Sequence, residues 1–183
     1  MDLGAAGLLQ QPFPSSGDTP ANVTYASQQE ALQVLQETHA AANGLCLLQG
    51  PALSGKSTII NQYVSSLPDE TAVAVVDARQ MNTAGLLEAV LRQFGYVLDH
   101  GSVSELLAML RVFSMQQTVS QQPPLLIMEN THELNPAALK ALCDLAELKV
   151  RQFSAMKMVL ASDRSLQPII ETPPMESIRQ RIT

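Results

Sequence analysis

The chain has 183 residues, which one domain can fill, and that length buries about two thirds of the unfolded surface in a single core. Hydrophobic residues make up 46% and charged residues 15%, which excludes a disordered tail, and no apolar run approaches the roughly 18 to 20 residues that span a bilayer. A formal charge of −6 argues against bulk attraction to nucleic acid or anionic lipid, so phosphate binding has to come from a specific site.

Residues 1–24 hold Pro12, Pro14, Gly17 and Pro20 with no sustained period and read as a loosely ordered arm; residues 25–183 read as one folded core. The N-terminus Met1-Asp2-Leu3-Gly4 lacks the basic start of a secretory signal, so a soluble, cytoplasmic protein is expected. Ser27 followed by Glu30 forms a capping-box signature. Ala31, Leu32, Leu35 and His39 then recur at helical spacing until Asn43 and Gly44. Leu45 to Gln49 reads as a short apolar strand, Lys56 to Leu67 as helix and Thr71 to Asp77 as a buried, valine-rich strand. Leu87, Val90, Leu91 and Phe94 form a helical stripe ending at Gly95. Ser102 with Glu105 opens a further helix through about Met115.

A Gln/Ser loop leads to Pro123 and Pro124, then to the strand Leu125 to Met128. Asn135 and Pro136 suit the start of a helix carrying Leu139, Leu142, Cys143, Ala146 and Val150 on one side, and Met156 to Ala161 reads as a fourth strand. This alternation predicts an α/β fold with a mainly parallel sheet and helices on both faces, because parallel neighbours need crossover connections. Cys46 and Cys143 both sit in apolar segments and read as reduced, buried thiols.

Gly50-Pro51-Ala52-Leu53-Ser54-Gly55-Lys56-Ser57 fits G-x-x-x-x-G-K-[ST], the Walker A pattern, and lies between a predicted strand and a predicted helix. Glycines let the backbone wrap a phosphate, a helix N-terminus points N–H groups at the anion, and the lysine neutralises its charge. The candidate nucleotide-binding residues are therefore Gly50, Leu53, Ser54, Gly55, Lys56, Ser57 and Thr58, with ATP and Mg²⁺ as the expected ligands. No Asn-Lys-x-Asp guanine-reading motif is present, which makes adenine the default.

A P-loop needs a second strand that ends in an acid, and Leu125-Leu126-Ile127-Met128-Glu129-Asn130 supplies it. Ser57 and Glu129 are the candidate Mg²⁺ ligands. Asn130 stands where a catalytic glutamate is usual, and an amide can hold a water but cannot take its proton. Binding is accordingly expected to survive better than hydrolysis. Glu133 is either a substitute base or a solvated carboxylate, and His132 either touches the site or makes a local hydrogen bond.

Taken with Pro12-Phe13, Ser27-Gln28-Gln29-Glu30-Ala31-Leu32, the Walker A loop, residues 125–134, Leu160-Ala161-Ser162-Asp163-Arg164-Ser165-Leu166 and Ile178-Arg179-Gln180-Arg181-Ile182, the chain resembles AAA+ ATPases of the general secretion pathway protein A type. That resemblance implies a three-layer P-loop NTPase core that ends before a fifth strand and a helical lid. It implies Glu129, Asn130, Ser162 and Arg181 as catalytic positions. Ser162 or Asp163 stands at the end of the fourth strand, where the family has a polar sensor, with Ser162 preferred, and Arg179 or Arg181 matches an arginine that reaches a neighbouring subunit's nucleotide. Relatives serve pilus biogenesis and polysaccharide export in bacteria. The implied role is an ATP-binding protein with weak or partner-dependent hydrolysis that organises an envelope or secretion assembly. The implied partners are a protein of that assembly, through which it could meet the inner membrane, and further copies of the chain. The alternatives are a non-catalytic P-loop scaffold and a transposition-type helper ATPase; the acidic balance disfavours the nucleic-acid partner that the latter requires.

Overall fold

A computed structural model describes residues 25–42, 44–120 and 123–176. The arm expected over residues 1–24, the Pro12-Phe13 pair, and Arg179 and Arg181 lie outside the described residues.

The elements in chain order are α1 (Ala26–Ala40), β1 (Leu45–Gln49), α2 (Lys56–Ser65), β2 (Val73–Asp77), α3 (Thr83–Gln93), α4 (Val103–Val119), β3 (Leu125–Glu129), α5 (Pro136–Glu147), β4 (Lys149–Val150), β5 (Phe153–Ser154), β6 (Lys157–Ser162) and α6 (Gln167–Ile170). Four of the strands form a parallel sheet in the order β1-β6-β3-β2. The expected sheet and its helical crossovers are thus present.

Side chains alternate across a strand, so each strand feeds two cores. On one face Cys46, Ile127, Val159 and Ala161 pack with Leu35 of α1 and with Ile59, Ile60 and Tyr63 of α2. On the other, Ala74, Leu126, Met128, Met158 and Leu160 pack against α3, α4 and α5, through residues such as Leu87, Leu91, Leu110 and Leu142. β3 is buried over its first four residues, which is why it reads as a continuous apolar run rather than an alternating one. Each fully buried Leu or Ile contributes about 1.5–3 kcal/mol relative to an exposed one. Cys46 and Cys143 are both free and buried, and burial pushes both thiols up, Cys143 to about 12.

Three local expectations need correction. Helix α1 starts at Ala26, with Tyr25 as its N-cap, so Ser27 lies inside the first turn rather than capping it. Helix α4 runs to Val119, four residues past Met115. Val150 is not on α5, which stops at Glu147; it belongs to β4, which pairs antiparallel with β5 through Val150 and Phe153. Among the described residues no helix is long and apolar enough to cross a membrane.

The register that positions the site pairs Gln49 with Ser162 and Asp77 with Glu129. All four strands therefore present their carboxyl ends, and the loops that follow, along one edge of the sheet. In open α/β sheets this is the edge where ligands bind.

Candidate nucleotide-binding site

The loop from Gly50 to Gly55 joins β1 to the first residue of α2, Lys56. Leu53 (φ 63°) and Gly55 (φ 88°) both take the left-handed conformation. Glycine adopts it without strain, whereas Leu53 has a side chain and is fully exposed. Gly50 sits close to the Ser54 side chain: a Cβ there would lie 3.0 Å from the Ser54 hydroxyl, which would have to shift. The first turn of α2 leaves backbone N–H groups without helical partners at this end.

Lys56 folds back over its own loop. Its ammonium donates to the carbonyls of Gly50 and Pro51, at 2.8 Å each, and to Ser54 Oγ at 3.4 Å. It also pairs with Asp163 Oδ1 at 2.7 Å. The Lys56 ammonium beside Asp163 holds that carboxyl below its ordinary value. The neighbouring Ser57 donates its hydroxyl to Glu129 Oε1 at 2.5 Å, which joins the start of α2 to the end of β3.

Lys56, Ser57, Thr58, Glu129, Asn130, Asp77 and Arg79 are among the residues that line a cleft of about 480 Å³ at this edge. Asn130 takes the left-handed conformation (φ 56°) that opens the 3₁₀ turn Thr131–Glu133, and Asn tolerates it better than other residues with side chains. Its amide donates to Asp77 Oδ1 at 2.9 Å. Arg79 clasps the same carboxylate with Nε at 2.8 Å and a terminal nitrogen at 2.5 Å from Oδ2. The Arg79 hydrogen bonds hold Asp77 well below the usual carboxylate range, at about 2, with a smaller contribution from Asn130.

Of the residues expected at the site, Lys56, Ser57, Thr58, Glu129 and Asn130 come together at one cleft, with Leu53 and Gly55 at its wall. Gly50 and Ser54 join through their bonds to Lys56. Ser162 does not face the cleft. It is buried, and its hydroxyl donates to the Arg164 carbonyl at 2.5 Å and accepts from the Arg164 N–H at 3.3 Å. The residue that reaches the cleft from the end of β6 is Asp163. His132 Nδ1 accepts the Asp163 N–H at 3.4 Å, and its Nε2 lies 3.6 Å from Glu133. His132 thus supports the turn that carries Asp163.

Asp77 and Arg79 were missed by reasoning from the sequence. The one signal for them was position: polar residues at the end of an apolar strand of a parallel sheet, here the last residue of β2 and the second residue after it, fall at the ligand edge.

The donor set suits Mg²⁺. Ser57 Oγ and Glu129 Oε1 are hard oxygens already in contact. Mg²⁺ takes one or two protein oxygens and draws the rest of its shell from phosphate and water. Among the described residues no group of three or more His, Cys, Asp or Glu side chains is placed to hold a metal elsewhere.

A family model described as an AAA domain matches residues 39–170, well over half of the chain. General secretion pathway protein A of Aeromonas hydrophila is 25% identical over 178 residues, covering 97% of this chain and 32% of that protein. The chain therefore spans about a third of that relative's length. Two solved structures share the fold at low identity. The Aeropyrum pernix ORC2 protein, solved as ADPNP-ADP complexes, matches with a TM-score of 0.66 at 13% identity, covering 92% of this chain and 49% of its own. Cdc6p from Pyrobaculum aerophilum matches with a TM-score of 0.67 at 14% identity, covering 92% and 47%. On its motif, its parallel sheet and the match over residues 39–170, this chain belongs to the AAA domain family, and its sequence is similar to general secretion pathway protein A.

Proposed function

We propose that the chain binds Mg-ATP at the cleft beside Lys56 and uses the bound state to organise a secretion or envelope assembly, hydrolysing the nucleotide slowly or only when a partner engages it. One observation carries the binding step: Lys56, Ser57 and Glu129 converge from the P-loop after β1 and from the end of β3, one strand removed in the sheet, with Ser57 Oγ 2.5 Å from Glu129. In this reading Lys56 neutralises phosphate charge, and Ser57 and Glu129 hold the Mg²⁺ that shields the phosphate oxygens. The loop and the first turn of α2 orient the phosphates through their N–H groups. The secretion role rests on the similarity to general secretion pathway protein A.

Slow turnover follows from Asn130. At the end of β3 it offers an amide, which orients a water without accepting its proton, and the nearby Asp77 is a weak base because Arg79 clasps it. The same observation favours a second reading, a P-loop scaffold in which nucleotide is a structural ligand only.

Calorimetric titration of ATP with Mg²⁺ tests the proposal, with Lys56→Ala as the control. The expected result is saturable binding that the variant abolishes. Equal heats from both chains, or none from either, would reject the nucleotide reading.

A further inference from the structure

The Lys56 ammonium has three N–H donors, and this chain supplies four acceptors for them: the Gly50 and Pro51 carbonyls, Ser54 Oγ and Asp163 Oδ1. Asp163 is the only charged one of the four. It stands in the cleft with its side chain 31% exposed, while the lysine's is 12% exposed. Its backbone is held in place: its N–H donates to His132 Nδ1, the preceding Ser162 is locked by its bonds to Arg164, and Leu166, three residues on, is fully buried. A carboxylate carried on an anchored turn thus shares the cation that a P-loop offers to phosphate. Of the cleft's other charges, Arg79 also attracts Asp163 but is taken up chiefly by Asp77 in a bidentate pair, and Glu129 adds a further acid.

We infer that Asp163 is a specificity-determining residue of the nucleotide site, an anionic competitor for Lys56 that lowers affinity the more, the more negative charge the entering phosphate chain carries. This rests on the nucleotide reading above and deepens it. Two effects act in the same direction. An incoming phosphate must displace or share the Asp163–Lys56 pair, and it then sits near a carboxylate that has lost its closest cation. The second effect is Coulombic and scales with ligand charge in a cleft of reduced dielectric. A triphosphate bears one more negative charge than the matching diphosphate, so Asp163 narrows the preference of the site for ATP over ADP. A protein partner that shifted the turn 162–166 would remove the competitor and restore that preference.

The test is calorimetric titration of ATP, ADP and AMP, at constant Mg²⁺ and ionic strength, into wild-type protein and Asp163→Asn. Asparagine keeps the size and the backbone hydrogen bond to His132 while removing the charge. Affinity for ATP should rise about tenfold in the variant, with a smaller gain for ADP and the least for AMP, the order that Coulombic repulsion dictates. The ratio of ADP to ATP dissociation constants should therefore increase. Asp163→Ala should show the same order, which separates loss of charge from any new bond made by the amide. Equal gains for all three nucleotides, or weaker binding in the variants, would overturn the inference while leaving the nucleotide reading intact. Binding of no nucleotide by any of the three proteins, each shown to be folded by circular dichroism, would overturn both.

Discussion

At the scale of single residues, the cleft is an arrangement of paired charges in which each partner limits the other. Asp77 shows this most directly. Its ordinary value is 3.8, and the folded chain holds it at about 2, chiefly through the Arg79 hydrogen bond. A carboxyl depressed in the folded state binds fewer protons there than in the unfolded chain. Its contribution to stability is therefore fully present above the ordinary value and is lost as pH falls through about 2. Arg79→Gln removes the clasp and should return Asp77 toward its ordinary value. The expected outcome is a variant less stable than wild type near neutral pH, with the difference shrinking between about pH 4 and pH 2. Urea unfolding of both chains across that range checks it, and a difference independent of pH would show that Arg79 acts through packing alone. Lys56 and Ser57 were legible because their motif is contiguous in the chain. Asp77, Arg79 and Asp163 reach the cleft through strand register, which no local pattern encodes. Asp163 lies at the strand end as expected, but like charge with phosphate argued for Ser162 instead; the Ser162 hydroxyl is spent on its own turn.

Among the elements, two stretches of sequence carried the same helix-start signature and only one folded as read. At α4, Ser102 Oγ donates to Glu105 Oε2 at 2.6 Å and accepts from the Glu105 N–H at 3.4 Å, and the glutamate in turn accepts the Ser102 N–H at 2.9 Å, so the capping box closes. At α1, the helix extends back through Ala26, a strong helix former, and Gln28 takes the glutamate's role by accepting the Tyr25 N–H at 3.4 Å. Ser27 is left inside the first turn without a capping role. Ser102→Ala should therefore destabilise the fold by about 1 kcal/mol. Ser27→Ala should cost nothing and could gain a few tenths of a kcal/mol from helix propensity. Parallel denaturant titrations of the two variants measure the contrast, and equal costs would mean that Ser27 does cap α1. The β4–β5 hairpin was illegible for a different reason. Its turn needs a positive φ at Arg151 (59°), where sequence signals for tight hairpins rely on Gly, Asn or Asp. The apolar spacing through Val150 also continued the period of α5 by coincidence.

Across the whole molecule, the cleft is assembled by the sheet rather than by any one segment. The P-loop follows β1, Glu129 ends β3 and Asp163 follows β6, and these three strands are adjacent in the sheet. The helix that begins with Lys56 packs on one core, while β3 and β6 feed both. A nucleotide held jointly by the loop, by Glu129 and by the start of α2 therefore bridges elements that must separate when the chain unfolds. A ligand that binds only the folded state stabilises it by mass action, about 2.7 kcal/mol at a concentration one hundred times its dissociation constant. For a chain of this size that corresponds to a rise in Tm of roughly 5–10 °C. Wild-type protein should show this rise with Mg-ATP, and Lys56→Ala should show none at the same concentration. Thermal unfolding followed by far-ultraviolet circular dichroism measures both. If wild-type Tm stays fixed while calorimetry records binding, the nucleotide binds the unfolded chain as well as the folded one, and its site does not depend on the contacts that join the loop after β1 to Glu129 at the end of β3.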